Sequence, residues 1–198
     1  MKFFVNFLSA FRIASAFVVV LTMLYGWPWV TFVLFALAAA SDWFDGYLAR
    51  KYNVCTKLGG VMDHIGDKLL VCNTLIMLVF MTHDWRVLVP VILMIARELY
   101  ISGLREFLGT QKIEMPVPKA RFSMGKIKTT FQMITIVAFL GLFVIFPSIT
   151  PETSRFIIFL LNVLTVVGLY GLWISLFASL FSAAQYTRTF AQKLKQIK

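Results

Sequence analysis

Four aspartates, Asp42, Asp45, Asp63 and Asp67, stand in residues 41–70, SDWFDGYLARKYNVCTKLGGVMDHIGDKLL, between stretches apolar enough to lie in a membrane. An ionisable side chain at membrane depth is costly and marks a functional site by default. Acids spaced i,i+3 or i,i+4 share a helix face and repel one another unless cations sit between them. A ligand set made only of carboxylate oxygens selects hard cations, Mg²⁺ or Mn²⁺ before Zn²⁺. Four such ligands suit two ions about 4 Å apart, an arrangement that clamps a phosphoryl centre during in-line displacement. Gly46 and Ala49 share the face of Asp42 and Asp45 and leave a smooth strip where a flat nucleotide can approach the backbone. Arg50, at the edge of that face, can grip phosphate oxygens through two parallel hydrogen bonds. Gly59, Asp63 and Asp67 share a second face, from which Lys68 points away. Asp67 is placed to accept a proton from an attacking hydroxyl. A charge network that only fixes helix register is the bland alternative, but four acids near so few bases do not neutralise one another.

The elements that must position these residues are membrane helices. The chain of 198 residues is 60% hydrophobic, with a mean hydropathy of +0.82. Backbone groups in lipid must be satisfied internally, and strand-like alternation is absent, so helices are expected rather than a barrel. Six spans are expected, at roughly 10–25, 28–50, 58–81, 86–107, 124–146 and 155–182. Trp27, Trp29 and Trp85 fall at span ends, where amphipathic rings favour the interface. Pro28, Pro147 and Pro151 punctuate two turns. The first span carries Arg12 and lacks a small-residue cleavage site, which argues against a cleaved signal peptide. The expectation is an all-α membrane protein, a six-transmembrane-helix bundle forming one domain over 1–198. The second and third spans are joined by a short loop and so should be antiparallel neighbours whose acidic faces meet.

The net charge of +10 is unevenly placed. With six spans both termini share a side with the 51–57 and 108–123 loops. Lys51, Lys57, Lys112, Lys119, Arg121, Arg188, Lys193, Lys195 and Lys198 fall there, against Arg86 and Arg155 on the other side. The positive-inside rule puts that side, and the aspartates, at the cytoplasmic face. Anionic lipid and phosphorylated substrates account for these charges better than nucleic acid does. Cys55 lies in a loop and Cys72 in a span, so neither a disulfide nor a cysteine metal site is expected.

The motif D-x-x-D-G-x-x-A-R-x8-G-x3-D-x3-D resembles the signature of the CDP-alcohol phosphotransferase family, and Asp42, Asp45, Gly46, Ala49, Arg50, Gly59, Asp63 and Asp67 match every fixed position. The resemblance implies a six-helix membrane enzyme, usually a homodimer, with two divalent ions at the cytoplasmic face of the bacterial inner membrane. There a CDP-linked donor loses CMP to an alcohol. It implies that the four aspartates bind Mg²⁺ or Mn²⁺ and that Asp67 is the general base. Gly46, Ala49, Arg50 and Gly59 then hold the cytidine diphosphate. Where bacterial members often read D-P-x-A-D-K, this chain has Asp63-His64-Ile65-Gly66-Asp67-Lys68. His64 lies about 100° around the helix from Asp63 and is read as a rim residue, and His83 as solvated.

The acceptor must be read elsewhere. Arg97 and Arg105 are eight residues apart on the fourth span, just over two turns, and so point the same way. Lys126 and Lys128 open the fifth span. Together they are expected to form a basic pocket facing the metals, suited to an acceptor with its own phosphate. Ordinary positive-inside flanking and ion pairs with Glu98 or Glu106 are the rival readings of these bases. The stretches A-R-E-x-x-x-S-x-L-R and G-K-x-K-T-x-x-Q-M, with N-F-L-S-A-F-R from Asn6 to Arg12, are similar to the branch of the family whose donor is CDP-diacylglycerol and whose acceptor is sn-glycerol 3-phosphate. That resemblance implies acceptor-phosphate binding by Arg97, Arg105, Lys126 and Lys128, and closure of the donor site by Asn6, Ser9 and Arg12. Serine, inositol phosphate or phosphatidylglycerol as acceptor is the nearest rival. A divalent-cation transporter is the rival of another class, but the apolar LLVCNTLIMLVF after Asp67 offers ions no exit. The tail AQYTRTFAQKLKQIK is expected to lie on the membrane surface.

Overall fold

A computed structural model describes residues 2–52, 57–110, 124–150 and 154–195, with side chains described for 7–41, 59–110, 127–150 and 154–194. Six α-helices account for nearly all of them, with no strand among the described residues: α1 (Lys2–Leu24), α2 (Pro28–Tyr52), α3 (Lys57–Thr82), α4 (Trp85–Thr110), α5 (Met124–Ile145) and α6 (Arg155–Lys195). Five are long and apolar enough to cross a membrane, while α2 has a shorter apolar part, Pro28–Ser41, ending where the acids begin. The chain is a multi-pass membrane protein. Each expected span falls on one of the six helices.

The helix ends follow from local chemistry. Gly26 takes φ +69°, and the amides of Gly26 and Trp27 return to the carbonyls of Met23 and Thr22 at 3.1 and 2.9 Å. This is the Schellman closure that glycine permits without steric cost, and Pro28 then opens α2. His83, at φ 49°, ends α3 in the same left-handed region. Asp84 then caps α4, its Oδ1 accepting from the Arg86 amide at 2.8 Å, which satisfies one of the orphan donors of a helix start.

The chain forms two compact units, Met1–Thr82 with Ile136–Leu164, and His83–Thr135 with Thr165–Lys198. In the first, α1 packs on both α3 and α2, more extensively on α3, whereas α2 and α3 touch less. The meeting of the acidic faces of α2 and α3 expected from their short loop falls on side chains outside those described. Arg12 lies beside Asp63 and Asp67, and the Asn73 amide donates to the Ala16 carbonyl at 3.0 Å, so α1 and α3 run parallel. Ala16, Val19, Phe35, Ala38, Leu70, Leu75, Leu78 and Leu140 form the buried apolar interior of this unit.

In the second unit the buried positions are partly polar: Lys128, Gln132, Thr135, Ser175 and Ser179 lie among Val91, Met94, Ile101, Leu172 and Leu176. Gly171 lets α6 approach α5 closely, since a Cβ there would stand 2.6 Å from Thr135 Oγ1. Hydroxyls elsewhere bond back to their own helices, as Thr74 does to Leu70 O at 2.7 Å, which satisfies them without water.

With 41 residues, α6 is about 60 Å long, twice the hydrocarbon thickness of about 30 Å. The tail expected on the membrane surface is carried on as α6 and held against α4. Tyr186 OH accepts from Arg105 Nε at 2.9 Å, Thr187 Oγ1 meets Tyr100 OH at 3.2 Å, and Phe190 packs edge-on against Phe107. Aromatic and hydroxyl groups at helical spacing give that end of α6 a protein partner instead of lipid.

Candidate active site

The acids of α3 are organised by a residue of α1. Arg12 is 0% exposed, and its Nη1 donates to Asp63 Oδ1 at 2.5 Å and to Asp67 Oδ1 at 2.8 Å. Asp63 and Asp67 are one helical turn apart, about 5.4 Å, at which two carboxylates repel by roughly 3 kcal/mol with an effective dielectric near 20. The shared guanidinium offsets that repulsion, and the carboxylates in turn are what allow a buried arginine. The arginine is fully buried whereas each acid is 41% exposed, so the loss of either acid falls mainly on the arginine, which has no water to replace it. The arginine stem runs over Gly66, the residue between the acids, with Arg12 Cδ 3.5 Å from where a Cβ would be.

The point on which Asp63 Oδ1 and Asp67 Oδ1 converge is taken by Arg12 Nη1, so a metal would be held by the other oxygen of each carboxylate. The donor set, hard oxygens on a rigid helix, fits Mg²⁺ or Mn²⁺. Among the described residues no three of His, Cys, Asp and Glu come together. The other two expected ligands, Asp42 and Asp45, lie with Gly46, Ala49 and Arg50 on the continuous helix α2, and their side chains are outside those described. The same holds for Asn6 and Lys126. Ser9 and Gly59 are buried, and His64 is exposed as expected of a rim residue. Arg12, expected to close the donor site, bonds to Asp63 and Asp67. The clue was present: an arginine inside an apolar span needs an acid, and the motif supplies them.

The second unit gathers Arg97, Glu98 and Lys128. Arg97 Nη1 and Lys128 Nζ both donate to Glu98 Oε1, the former at 2.8 Å. Arg97 also donates from Nε to Ser179 O at 3.2 Å and from Nη2 to Ser182 Oγ at 3.1 Å. Ser175 Oγ donates to the Lys128 carbonyl at 3.2 Å, fixing the α5–α6 register there. The ion-pair reading of Glu98 is therefore realised, with Arg97 and Lys128 sharing its carboxylate. Arg105 lies over the Tyr186 ring at 5.2 Å. Ser175, Ser179, Ser182 and Tyr186 had no distinguishing signal in the sequence, because serine and tyrosine are ordinary in a membrane helix.

An apolar cavity of about 220 Å³ lined by Met23, Trp27, Thr31, Met81, Leu140 and Phe143, among others, lies at the far end of the first unit and has no acid or base in its wall. It is no place for phosphoryl chemistry.

Comparison with known proteins agrees with the motif. A family model described as CDP-alcohol phosphatidyltransferase matches residues 3–169. A protein of Rickettsia bellii is 36% identical over 185 residues, 91% of this chain and 91% of its own length. Proteins of Salmonella typhimurium and Escherichia coli K12 are 39% and 38% identical over 132 residues, 65% of this chain and 71% of theirs. All three are named CDP-diacylglycerol–glycerol-3-phosphate 3-phosphatidyltransferase.

Proposed function

We infer the reaction from one premise: the chain belongs to the CDP-alcohol phosphatidyltransferase family, whose members generally use divalent metal ions. It transfers the phosphatidyl group of CDP-diacylglycerol to sn-glycerol 3-phosphate, giving phosphatidylglycerophosphate and CMP. The observation that carries this reading is the whole donor motif in a chain with relatives named for this reaction, with Asp63 and Asp67 standing together on α3 and held by one guanidinium.

Asp42, Asp45, Asp63 and Asp67 would hold two ions, Mg²⁺ or Mn²⁺, which when bound supply the charge that offsets the pyrophosphate. Gly46, Ala49, Arg50 and Gly59 bind the cytidine diphosphate, with Asn6 and Ser9 closing the same site. Asp67 takes the proton of the glycerol 1-hydroxyl as that oxygen attacks the β-phosphorus. The bond from the β-phosphorus to the bridging oxygen breaks, and CMP leaves with that oxygen. Arg97, Arg105, Lys126 and Lys128 bind the acceptor phosphate, Glu98 holding two of them in place. Positioning and charge stabilisation supply most of the acceleration. The enzyme works as a homodimer of single-domain chains in the bacterial cytoplasmic membrane, with both termini and the site on the cytoplasmic side.

The test is CMP release by purified protein given CDP-diacylglycerol, Mg²⁺ or Mn²⁺, and one acceptor at a time. Release with glycerol 3-phosphate alone is expected. Release with serine, inositol phosphate or phosphatidylglycerol in its place would reassign the acceptor within the family, and no metal-dependent release with any acceptor would end the reading.

A further inference from the structure

We propose that Arg12 is a positioning residue of the metal site, a role that rests on the reading of the aspartates as metal ligands. Three observations lead to it. Its guanidinium is wholly buried and bonds to both acids of α3. These two bonds come from one nitrogen, Nη1, and go to one oxygen of each of two residues a turn apart. Its stem lies over Gly66, where a Cβ would meet Arg12 Cδ at 3.5 Å and Arg12 Cβ at 3.6 Å.

An outer partner that engages one oxygen of a ligating carboxylate sets that side chain's rotamer and aim without displacing what it ligates. Free aspartates on a helix populate several rotamers, and a pair of them repel. Arg12 removes both sources of disorder at once, because one nitrogen cannot bond to both carboxylates unless they turn toward each other. It also couples the site to the docking of α1 on α3, so ligand geometry is assembled only when those helices are packed. A lysine in its place keeps the charge but presents a compact ammonium in place of a planar fork, and holds the pair less well.

The decisive measurement is Mn²⁺ binding to the purified full-length chain, read as loss of the free-ion paramagnetic resonance signal with no substrate present. Wild type, Arg12→Gln, Arg12→Lys and the distant surface control Arg86→Gln would be compared, with melting temperature recorded for each. Arg12→Gln is expected to weaken Mn²⁺ binding 10- to 100-fold, the loss usual for an outer-shell partner. Arg12→Lys should lose less and the control nothing. Unchanged Mn²⁺ affinity in Arg12→Gln overturns the proposal, whatever its melting temperature, because a merely structural arginine lowers stability alone. Unchanged affinity with a raised KM for CDP-diacylglycerol overturns it too, in favour of a donor contact. Where Arg12→Gln gives no monodisperse protein, Arg12→Lys decides, weakened binding supporting the role and wild-type binding overturning it. An error in the acceptor assignment leaves this assay untouched. A wild-type chain that binds no Mn²⁺ overturns the metal reading itself.

Discussion

At the residue scale the chemistry depends on charges that can exist in a membrane protein only in company. Asp67 is at once a proposed ligand, the proposed base and a partner of Arg12. Asp67→Asn should lower CMP release by at least about 100-fold, the low end for loss of a general base. Chelation of divalent ions should abolish release and re-addition of Mg²⁺ or Mn²⁺ restore it, both read in the same assay. Glu98 offers a test of a different kind, because Arg97 and Lys128 lean on it together. Glu98→Gln takes the shared carboxylate from Arg97 and Lys128 and should cost about 3–5 kcal/mol, whereas Lys128→Gln leaves the Arg97–Glu98 pair intact and should cost less. Thermal denaturation in detergent ranks the two, and the opposite order would remove Glu98 from the centre of the cluster.

At the scale of elements, close approach and capping decide which helix surfaces meet. Gly171→Ala puts a methyl against Thr135 Oγ1, and threonine is stiff at χ1, so overpacking of about 1–3 kcal/mol is expected. Thr135 Oγ1 is buried with no hydrogen-bond partner among the described residues, so removing it forfeits no bond. The double variant Gly171→Ala with Thr135→Ala should therefore recover most of the loss, and a double-mutant cycle that shows simple additivity would refute the contact. The α3–α4 turn titrates. The side-chain hydrogen bond from Arg86 holds the Asp84 carboxyl below the usual aspartate range. A depressed folded-state pKa contributes stability that is full above the ordinary aspartate value and fades as pH falls through the lower folded one. Asp84→Ala should accordingly cost about 1 kcal/mol at neutral pH, as for lost helix caps, and less under acid conditions, measured as melting temperature against pH.

At the scale of the whole molecule, six helices and a skewed charge distribution imply an orientation. Lys193 and Lys195 close α6, and Arg86 opens α4 on the side with few bases. A fluorescent protein fused after residue 198 should fold and emit, and alkaline phosphatase fused there should be inactive. Phosphatase inserted at the 83–84 turn should be active. The reverse pattern would place the aspartates on the wrong side for a cytoplasmic nucleotide donor.

The sequence by itself determined the helices, their membrane character and the family, because hydropathy over about 20 residues and the spacing of a motif are local properties of the chain. The donor residues were legible for the same reason: Asp63 and Asp67 share a face on any helix. Tertiary structure alone decided which charge answers which. Arg12 finds its acids 51 and 55 residues away, and Arg97 reaches Ser179 and Ser182 across 82 and 85. The tail was read as a surface helix because its bases are amphipathically placed, yet Tyr186, Thr187 and Phe190 find partners on α4. Such pairings depend on how far each helix is rotated and slid against its neighbours. That register is set by the packing of all the side chains together, so a single segment does not contain it.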